Sequence, residues 1–456
     1  MGGKIATFIF SLKEEYMKLV RRVILFLFIA CIASSWAQQA DKNYDDLKKE
    51  IALIRAQLDS LKTLQRSAPV GVDDELETLA ESIEKRLKEL EQKIDAIARS
   101  TALVVFNPRL TAFLNVAARR DDHPVLDEEG GFDISNRPYL RSIELDFRAP
   151  VDPYAEAILI LAVEDEAGEG FAVEPEEAYG ILKRLPILES APLGMKVRVG
   201  KFRSPLGVNN KLHMHDMPWT TRPLVVSRLF GTEHGDFFES GHAPVGVDFD
   251  FFLPTVIPGS TFEMNLDVVR GGELRVSQEH EGGRVGYIGH VNLSADWRNE
   301  HLVVLGASAY RERGESLTDL FGVDFTYKWS PTENRAARSF VAGGEWYTAK
   351  HEYNEPGGEP VIQKPSGWFA YAQYQLSYWW YVGARYDWVK EPYDDRLVTK
   401  AWSGYFSYYT TEFLRLRAGI DHRRSDIPGF EKLTSVNVEI NFVFGSHPVE
   451  PYWVNR

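Results

Sequence analysis

Apolar and polar residues alternate along most of this chain, in runs of about ten residues that begin near Leu103. In the run from Phe321 to Trp329, every second residue is large and apolar, while Asp324 and Lys328 are among the residues between them. Successive side chains of a β-strand point to opposite faces, so this period of two predicts strands with one apolar and one polar face. About sixteen such runs can be counted, and this length and even number are typical of membrane-spanning strands.

The alternation alone does not say which face is inside, because a soluble β-sandwich and a membrane barrel share it with opposite sense. Strands of sandwiches are commonly about five or six residues long, roughly half the length of these runs. Aromatic residues also recur at the ends of the runs, where lipid headgroups accept a ring with a polar tip. These residues are Tyr327, Trp329, Trp379 to Tyr381, Trp402 and Tyr405.

Both features favour a barrel with lipid outside and water inside. In the segment from Ser366 to Val389, the residues predicted to face lipid are Trp368, Tyr374 and Trp388, and those predicted to face the lumen are Gln373, Gln375, Arg385 and Asp387. Beyond residue 40 no segment is apolar enough for a spanning helix, so a membrane protein of this sequence must be a closed barrel. We expect an all-β transmembrane antiparallel barrel of about 16 strands with an N-terminal α-helical coiled coil.

The start of the chain carries the features of a secretory signal peptide. Basic residues precede an apolar run from Val23 to Ile32, and the sequence SWA at 35–37 offers a cleavage site, with Met17 as a second candidate start. About ten apolar residues fall short of the roughly 20 that a membrane anchor needs. The single cysteine, Cys31, allows no intrachain disulfide and loosely matches a lipoprotein processing site, so lipidation stays an alternative. We predict a signal peptide at residues 1–37.

Residues 38–101 have a different pattern, in which charged residues surround a narrow stripe of leucine and isoleucine. The apolar residues are spaced alternately about four and three apart, from Leu47 to Leu61 and again from Leu76 to Ile97. This spacing predicts a periplasmic coiled coil, and the alternative is an amphipathic helix that packs on its own domain. Isoleucine and leucine mix at both core positions, so the heptads do not fix the number of chains. The barrel is expected to occupy residues 102–456.

A more specific signal lies between Val197 and Gly235, in the sequence VRVGKFRSPLGVNNKLHMHDMPWTTRPLVVSRLFGTEHG. It resembles a strand and the following loop of phosphate-selective-porin-like outer-membrane barrels, and is closest to the group labelled zinc-regulated TonB-dependent outer-membrane receptor. The sequences FNPRLTAFLN from Phe106 and INFVFGSHP from Ile440 resemble the first and last strands of the same group. The resemblance spans the whole barrel and implies a homotrimer in the outer membrane of the bacterial cell.

Length bears on which kind of barrel this is. A plugged transporter has about 22 strands and a plug domain, whereas this chain of 456 residues, less its N-terminal segment, has room for only about sixteen strands. We therefore expect a porin-like channel for passive diffusion of small hydrophilic solutes or ions. The first alternative is a barrel for specific uptake or sensing of a ligand or metal, and the second is an outer-membrane enzyme.

We expect no enzymatic activity and no catalytic residues, because serine and histidine occur without a nucleophile-elbow context. His234, Asp236 and Glu239 could form an acid–base group, but charged loop residues in water are the simpler interpretation. The expected partners are outer-membrane lipid, further copies of the chain and small solutes or ions, with no nucleic acid.

The longest stretch without a period of two runs from Leu206 to His242. A loop of this length is usually functional, and a loop folded into a wide barrel is the usual device that narrows it. The alternative is an external loop that packs against neighbouring subunits. Acids outnumber bases on the expected lumen face, so the charge preference stays open. The predicted pore-lining and constriction residues are Lys196, Arg198, Lys211, His213, His215, Arg222, Arg228, Arg385, Arg415 and Arg417.

Two histidines in the sequence LHMHD form the sharpest candidate for a metal site. His213 and His215 share one face of an extended backbone, and Asp216 follows them. Nitrogen and carboxylate ligands of this kind suit zinc or copper. We expect no cofactor other than a possible zinc ion at His213, His215 and Asp216.

Overall fold

The computed structural model describes residues 109–445 apart from 126–135, 153, 166–170, 185–191, 232–240, 278–284, 315, 335–336 and 355–359. The chain divides into two compact units, Met1–Leu110 and Thr111–Arg456, and almost all described residues belong to the second. The expected signal peptide, the coiled coil and the group of His234, Asp236 and Glu239 lie outside the described residues, so they remain predictions.

The second unit is built almost entirely from long strands, as the alternation predicts. The segments are β1 (Arg109–Asp121), β2 (Arg137–Pro150), β3 (Ala155–Asp165), β4 (Phe171–Leu182), β5 (Lys196–Lys201), β6 (Val245–Leu253), β7 (Ser260–Arg270), β8 (Val285–Trp297), β9 (His301–Arg313), β10 (Leu317–Trp329), β11 (Phe340–Asn354), β12 (Pro360–Gln363), β13 (Ser366–Gln375), β14 (Trp380–Lys390), β15 (Val398–Thr411), β16 (Leu414–Ser425) and β17 (Lys432–Gly445). One short α-helix, α1 (Leu224–Leu229), lies between β5 and β6. No helix among the described residues is both long and apolar enough to cross a bilayer.

Strand pairing closes the sheet into a barrel. Neighbouring strands pair antiparallel, and β1 pairs with β17 from Thr111 opposite Gly445 to Asp121 opposite Ser435. The short β12 and the longer β13 both pair with β11, at its two ends, so they occupy one position in the barrel. The seventeen segments therefore make sixteen barrel strands, which confirms the expected fold.

The faces of these strands follow the predicted sense. On β13, Trp368 and Tyr374 are each 37% exposed on the outside, whereas Gln373 and Gln375 are 5% and 1% exposed on the inside. Large apolar side chains continue around the exterior, and they include Leu305, Phe321, Phe325, Phe406, Ile420, Val436 and Phe444. An apolar exterior around a polar interior is the reverse of a water-soluble barrel, and it suits a barrel wall that contacts lipid.

The prediction that aromatic residues at the strand ends lie at the lipid headgroups is wrong for two of them. Tyr381 and Tyr405 point into the barrel, where they are 2% and 4% exposed. Trp379, Trp380 and Trp402 lie outside and are exposed, as expected. Tyr381 packs with Phe113, Tyr409 and Val443 of the inner wall. Tyr405 contacts a larger apolar surface inside the lumen, which strand periodicity does not reveal.

That apolar surface belongs to the segment between β5 and β6, residues 202–244, which we call the inward loop and of which 202–231 and 241–244 are described. It folds into the barrel as predicted, so the alternative of an external loop is wrong. A large apolar cluster of the barrel unit lies between this loop and the inner wall. Its members include Phe202, Leu206, Trp219, Leu224, Val226, Leu229 and Phe230 of the loop and Tyr347, Phe369, Tyr371 and Tyr405 of the wall.

Candidate functional site

Arginines of the inner wall hold the inward loop through its backbone. Arg385 on β14 donates from Nη1 to the carbonyl oxygen of Thr221 at 2.5 Å, and Arg417 on β16 donates to that of Met217. Arg141 on β2 donates from Nη2 to the carbonyl of Thr220 at 2.6 Å. Charge-assisted hydrogen bonds of this kind are about twice as strong as neutral ones. These guanidinium groups are thus occupied by the loop rather than presented to passing solutes.

One carboxylate, that of Glu439 on β17, offsets three of these wall cations. Its Oε1 accepts from Arg417 at 2.5 Å and from Arg415 at 3.1 Å, and its Oε2 accepts from Arg141 at 3.1 Å. All four side chains are about 1% exposed or less. In a buried site, charges require partners of this kind because water cannot solvate them.

An aromatic contact holds the middle of the loop. Trp219 is 1% exposed and packs edge to face on Tyr371, with ring centroids 4.8 Å apart, and on Phe369 and Tyr405 at 6.0 and 6.3 Å. The guanidinium of Arg385 lies 5.0 Å from the centre of the same indole ring. Helix α1 follows, and its first backbone N–H, at Leu224, donates to Asp387 Oδ1 at 2.9 Å. The loop is therefore packed along β13, β14 and β15.

The start of the loop is anchored on β11, the strand that pairs with β13. The backbone N–H groups of Val208 and Asn209 donate to Glu345 Oε1 on β11 at 2.9 and 2.8 Å. Tyr347, two residues further along β11, donates to the carbonyl of Leu206 at 3.1 Å. Gly207 between them has a φ of 71°, in the left-handed region that glycine adopts without strain. The loop is thus held along the inner wall from β11 to β16.

The structure separates the ten predicted pore-lining residues into two groups. Three reach water inside the barrel: Lys196 and Lys211 are exposed and Arg198 is half-buried. The other seven contact protein and are mostly buried: His213, His215, Arg222, Arg228, Arg385, Arg415 and Arg417. Arg222, for example, is 0% exposed and donates to the carbonyls of Asn209 and Leu212 at 3.0 and 2.8 Å. A part for any of the ten in ion selection remains a prediction.

The exposed cations lie beside acids on neighbouring strands. Lys196 and Arg198 of β5 are directly opposite Asp250 and Asp248 of β6, and Arg198 Nε donates to Asp248 Oδ2 at 2.7 Å. Lys211 is exposed, but the surrounding wall partly desolvates its ammonium group. This desolvation lowers the pKa of Lys211 from the ordinary lysine value, and the charge of Arg198 lowers it further. The solvent-accessible side of the lumen at β5 to β7 is therefore lined by charges of both signs.

A second cluster, which we call the acid–imidazole cluster, joins the loop to β2 and β4. Its members are Glu144, Glu176, Glu177, His213 and His215. Sequence analysis found the two histidines but not the glutamates. Glu176 and Glu177 are adjacent in sequence and would point to opposite faces of a regular strand. A β-bulge in β4, where Ile160 pairs with Glu177 but Leu161 with Pro175, turns both carboxylates toward the histidines.

Burial and the neighbouring carboxylates act in opposite senses on these imidazoles. Burial lowers the pKa of His213 and so does the charge of Arg203, but Glu176 and Glu144 outweigh them and raise this pKa well above its ordinary value. The pKa of His215 is also raised, because Glu144 and Asp216 outweigh burial. Each imidazole therefore favours a positive charge at its ring, which reflects the excess of carboxylates around the pair.

No family model matches this chain. An uncharacterized protein of Aquifex aeolicus (strain VF5) is 27% identical over 376 residues, which cover 73% of this chain and 72% of that protein.

Several solved barrels are similar to the chain in fold. The anion-selective porin from Comamonas acidovorans has a TM-score of 0.46 at 12% identity and covers 74% of this chain and 99% of its own. The outer-membrane channel DcaP of Acinetobacter baumannii has a TM-score of 0.46 at 11% identity, with 74% and 97% covered, and Pseudomonas putida OprB has 0.48 at 9%, with 76% and 96% covered. The strand pairing of the chain itself establishes the sixteen-stranded barrel.

Proposed function

We propose that this protein is a porin-like channel of the bacterial outer membrane, through which small hydrophilic solutes or ions diffuse passively. The observation that carries the proposal is the inward loop, which covers one wall of the lumen and leaves charged side chains exposed to water near another. Lys196 and Lys211 are exposed there and Asp250 and Glu263 are half-buried. A constricted, polar lumen of this kind selects solutes by size and charge. We propose no enzymatic activity.

The test is the conductance of the purified full-length protein in a planar lipid bilayer. We expect stepwise openings at low voltage. A barrel that is folded, as shown by its shift in gel mobility on heating, but gives no stepwise conductance would contradict the channel and favour specific uptake or sensing.

Charge selection can be tested in the same bilayers at neutral pH. Replacing Lys196 and Lys211 together by glutamine removes two cations from the water-exposed lumen and should shift the reversal potential in a salt gradient toward cation preference. The matched control is Lys400→Gln, because Lys400 is an exposed lysine on the outer face of β15. If the control shifts the reversal potential as much as the double variant, the two lumen lysines do not line the narrow part of the pore.

We also propose a homotrimer. The heptad spacing of residues 38–101 suits association between chains, and the resemblance of the strand and loop at Val197–Gly235 to porin-like barrels implies three of them. Three barrels side by side would cover part of the apolar exterior, such as Phe321 and Trp402. Lipid would cover the remainder.

A further inference from the structure

We propose that Glu144, Glu176, His213 and His215 bind one divalent transition-metal ion of the zinc class, which ties the inward loop to β2 and β4. This site is separate from the exposed charges on which the proposed channel rests. It also differs from the sequence expectation, which placed Asp216 among the ligands and included no glutamate.

The first support is the convergence of ligand atoms. One ligand atom from each of Glu144, Glu176 and His213 lies within 4.8 Å of the other two. His213 Nδ1 is 3.4 Å from Glu144 Oε2 and 2.6 Å from Glu176 Oε2, and His215 Nδ1 is 2.9 Å from Glu144 Oε2. Four ligands about 2 Å from a tetrahedral zinc ion lie roughly 3.3 Å from one another. Glu144, Glu176 and His213 thus present two carboxylates and one nitrogen around one point, and His215 Nδ1 adds a second nitrogen beside Glu144.

The second support is that these atoms do not satisfy one another by hydrogen bonds. Among the described residues, His213 Nδ1, His215 Nδ1 and Glu144 Oε2 are buried and make no hydrogen bond, although they lie close together. Their side chains are 8%, 6% and 1% exposed. Buried polar atoms are nearly always hydrogen-bonded, and an ion that binds at the site is one of the recognised reasons for an exception. A metal ion binds lone pairs of this kind, which accept no hydrogen bond from a neighbouring donor.

The third support is the set of groups behind the ligands. His213 Nε2 lies 2.8 Å from Glu177 Oε1, so a proton on Nε2 donates to Glu177 and leaves Nδ1 with a free lone pair. Metal-binding histidines usually donate their other ring N–H to a carboxylate in this way. On His215, Nε2 faces Asp216 Oδ1 at 3.5 Å. Glu177 and Asp216 are therefore assigned as positioning residues, not as ligands.

Charge gives a further reason for a cation. Three carboxylates, those of Glu144, Glu176 and Glu177, are brought together with little access to water. Arg203 is beside them, with its Nη2 3.4 Å from Glu176 Oε2, and offsets part of this charge. A divalent ion would offset the remainder while the imidazoles stay neutral. Imidazole ligands together with carboxylates favour zinc and its neighbours over calcium or magnesium, which prefer oxygen ligands alone.

The test is metal binding by the purified full-length protein in detergent, first stripped with a chelator and then dialysed against Zn²⁺ or Co²⁺. We expect about one ion per chain by elemental analysis, and a visible d–d absorption with Co²⁺ typical of tetrahedral nitrogen and oxygen ligands. His213→Gln and Glu144→Gln should abolish both signals. Glu177→Gln keeps every ligand and should weaken binding by about 10- to 100-fold.

The control is His301→Gln, because His301 lies at the start of β9 and its Nδ1 contacts Tyr327 rather than the cluster. It should bind metal as the natural chain does. The natural chain and the control should also gain thermal stability on adding Zn²⁺, and Glu177→Gln should gain less. A natural chain that binds neither ion would overturn the proposal and leave an ion-pair cluster of imidazolium and carboxylate. Binding that survives His213→Gln and Glu144→Gln, or that Glu177→Gln leaves unchanged, would overturn it as well.

Discussion

At the scale of single residues, the charged side chains inside this barrel serve mainly to hold the inward loop. Alternation along β14 and β16 was sufficient to predict that Arg385, Arg415 and Arg417 point inward. It could not predict what they contact, because their partners Met217 and Thr221 are about 160 to 200 residues away in the chain. A guanidinium that faces a lumen can be a pore charge or a structural anchor, and only the path of the loop distinguishes the two.

A substitution at Glu439 should reveal how strongly this anchoring depends on charge. Glu439→Gln keeps the shape of the side chain but leaves Arg141, Arg415 and Arg417 buried without their shared carboxylate. Removing one partner of a buried ion pair typically costs about 3–5 kcal/mol. We expect a clear loss in the free energy of unfolding, measured by denaturant titration of the barrel in detergent.

The matched control is an ion pair at the surface. Arg396 Nη2 is 2.7 Å from Asp394 Oδ2, and the arginine side chain is 85% exposed. Exposed pairs contribute little to stability, so Arg396→Gln should leave the unfolding midpoint almost unchanged. Equal midpoints for the two variants would show that the buried charges are not a main support of the fold.

At the scale of elements, periodicity assigned most strand faces correctly and failed where the loop or a bulge intervenes. On β13 it separated Trp368 from Gln373 because lipid and lumen differ in polarity. It failed at Tyr405, since the loop carries Trp219 and other apolar residues into the lumen and makes inward aromatic residues favourable. It also failed at Tyr381, which packs with Tyr409 and other apolar residues of the wall. It also missed the neighbouring carboxylates of Glu176 and Glu177, because one extra residue in β4 breaks the period at that point.

The start of the inward loop offers a test of how firmly it is docked. A Cβ added at Gly207 would collide with the hydroxyl of Tyr347, which bonds the carbonyl of Leu206, and the left-handed backbone would add about 1–2 kcal/mol of strain. Gly207→Ala should therefore loosen the loop. Hydrogen exchange followed by mass spectrometry should become faster in peptides from 206 to 231.

A second glycine provides the control for strain alone. Gly272 has a φ of 80° but nothing within 4 Å of an added Cβ, so Gly272→Ala carries the backbone cost without the collision. Exchange in the loop should stay as it is in the natural chain. The proposed anchoring at Tyr347 would be contradicted if exchange in the loop became faster in the Gly272→Ala protein. It would also be contradicted if the exchange rate did not increase in the Gly207→Ala protein.

At the scale of the whole molecule, the number of strands followed from length and alternation, whereas the proposed trimer depends on the predicted coiled coil at residues 38–101. We expect light scattering in mild detergent to give the mass of three chains. Deleting Asp41 to Ser100 should weaken this association while the barrel still folds, because the sixteen strands close on themselves through β1 and β17. A monomer for the intact protein would rule out the trimer. An unchanged trimer after the deletion would assign the association to the barrel wall.

The anchoring of the inward loop also constrains the order in which the protein folds. The loop lies near the middle of the chain, yet its partners are on strands made much later: Glu345 is 136 residues beyond Asn209, and Arg417 is 200 residues beyond Met217. Contacts between such distant residues form slowly, because the intervening chain must first be ordered. Until β13 to β15 have joined the sheet, Trp219 and its apolar neighbours lack a wall to pack against. Anchoring of the loop is complete only when β16 and β17 close the barrel, because Arg417 and Glu439 lie on these strands. A chain that stops short of them has an unpaired sheet edge and an incompletely anchored loop, and both features favour aggregation.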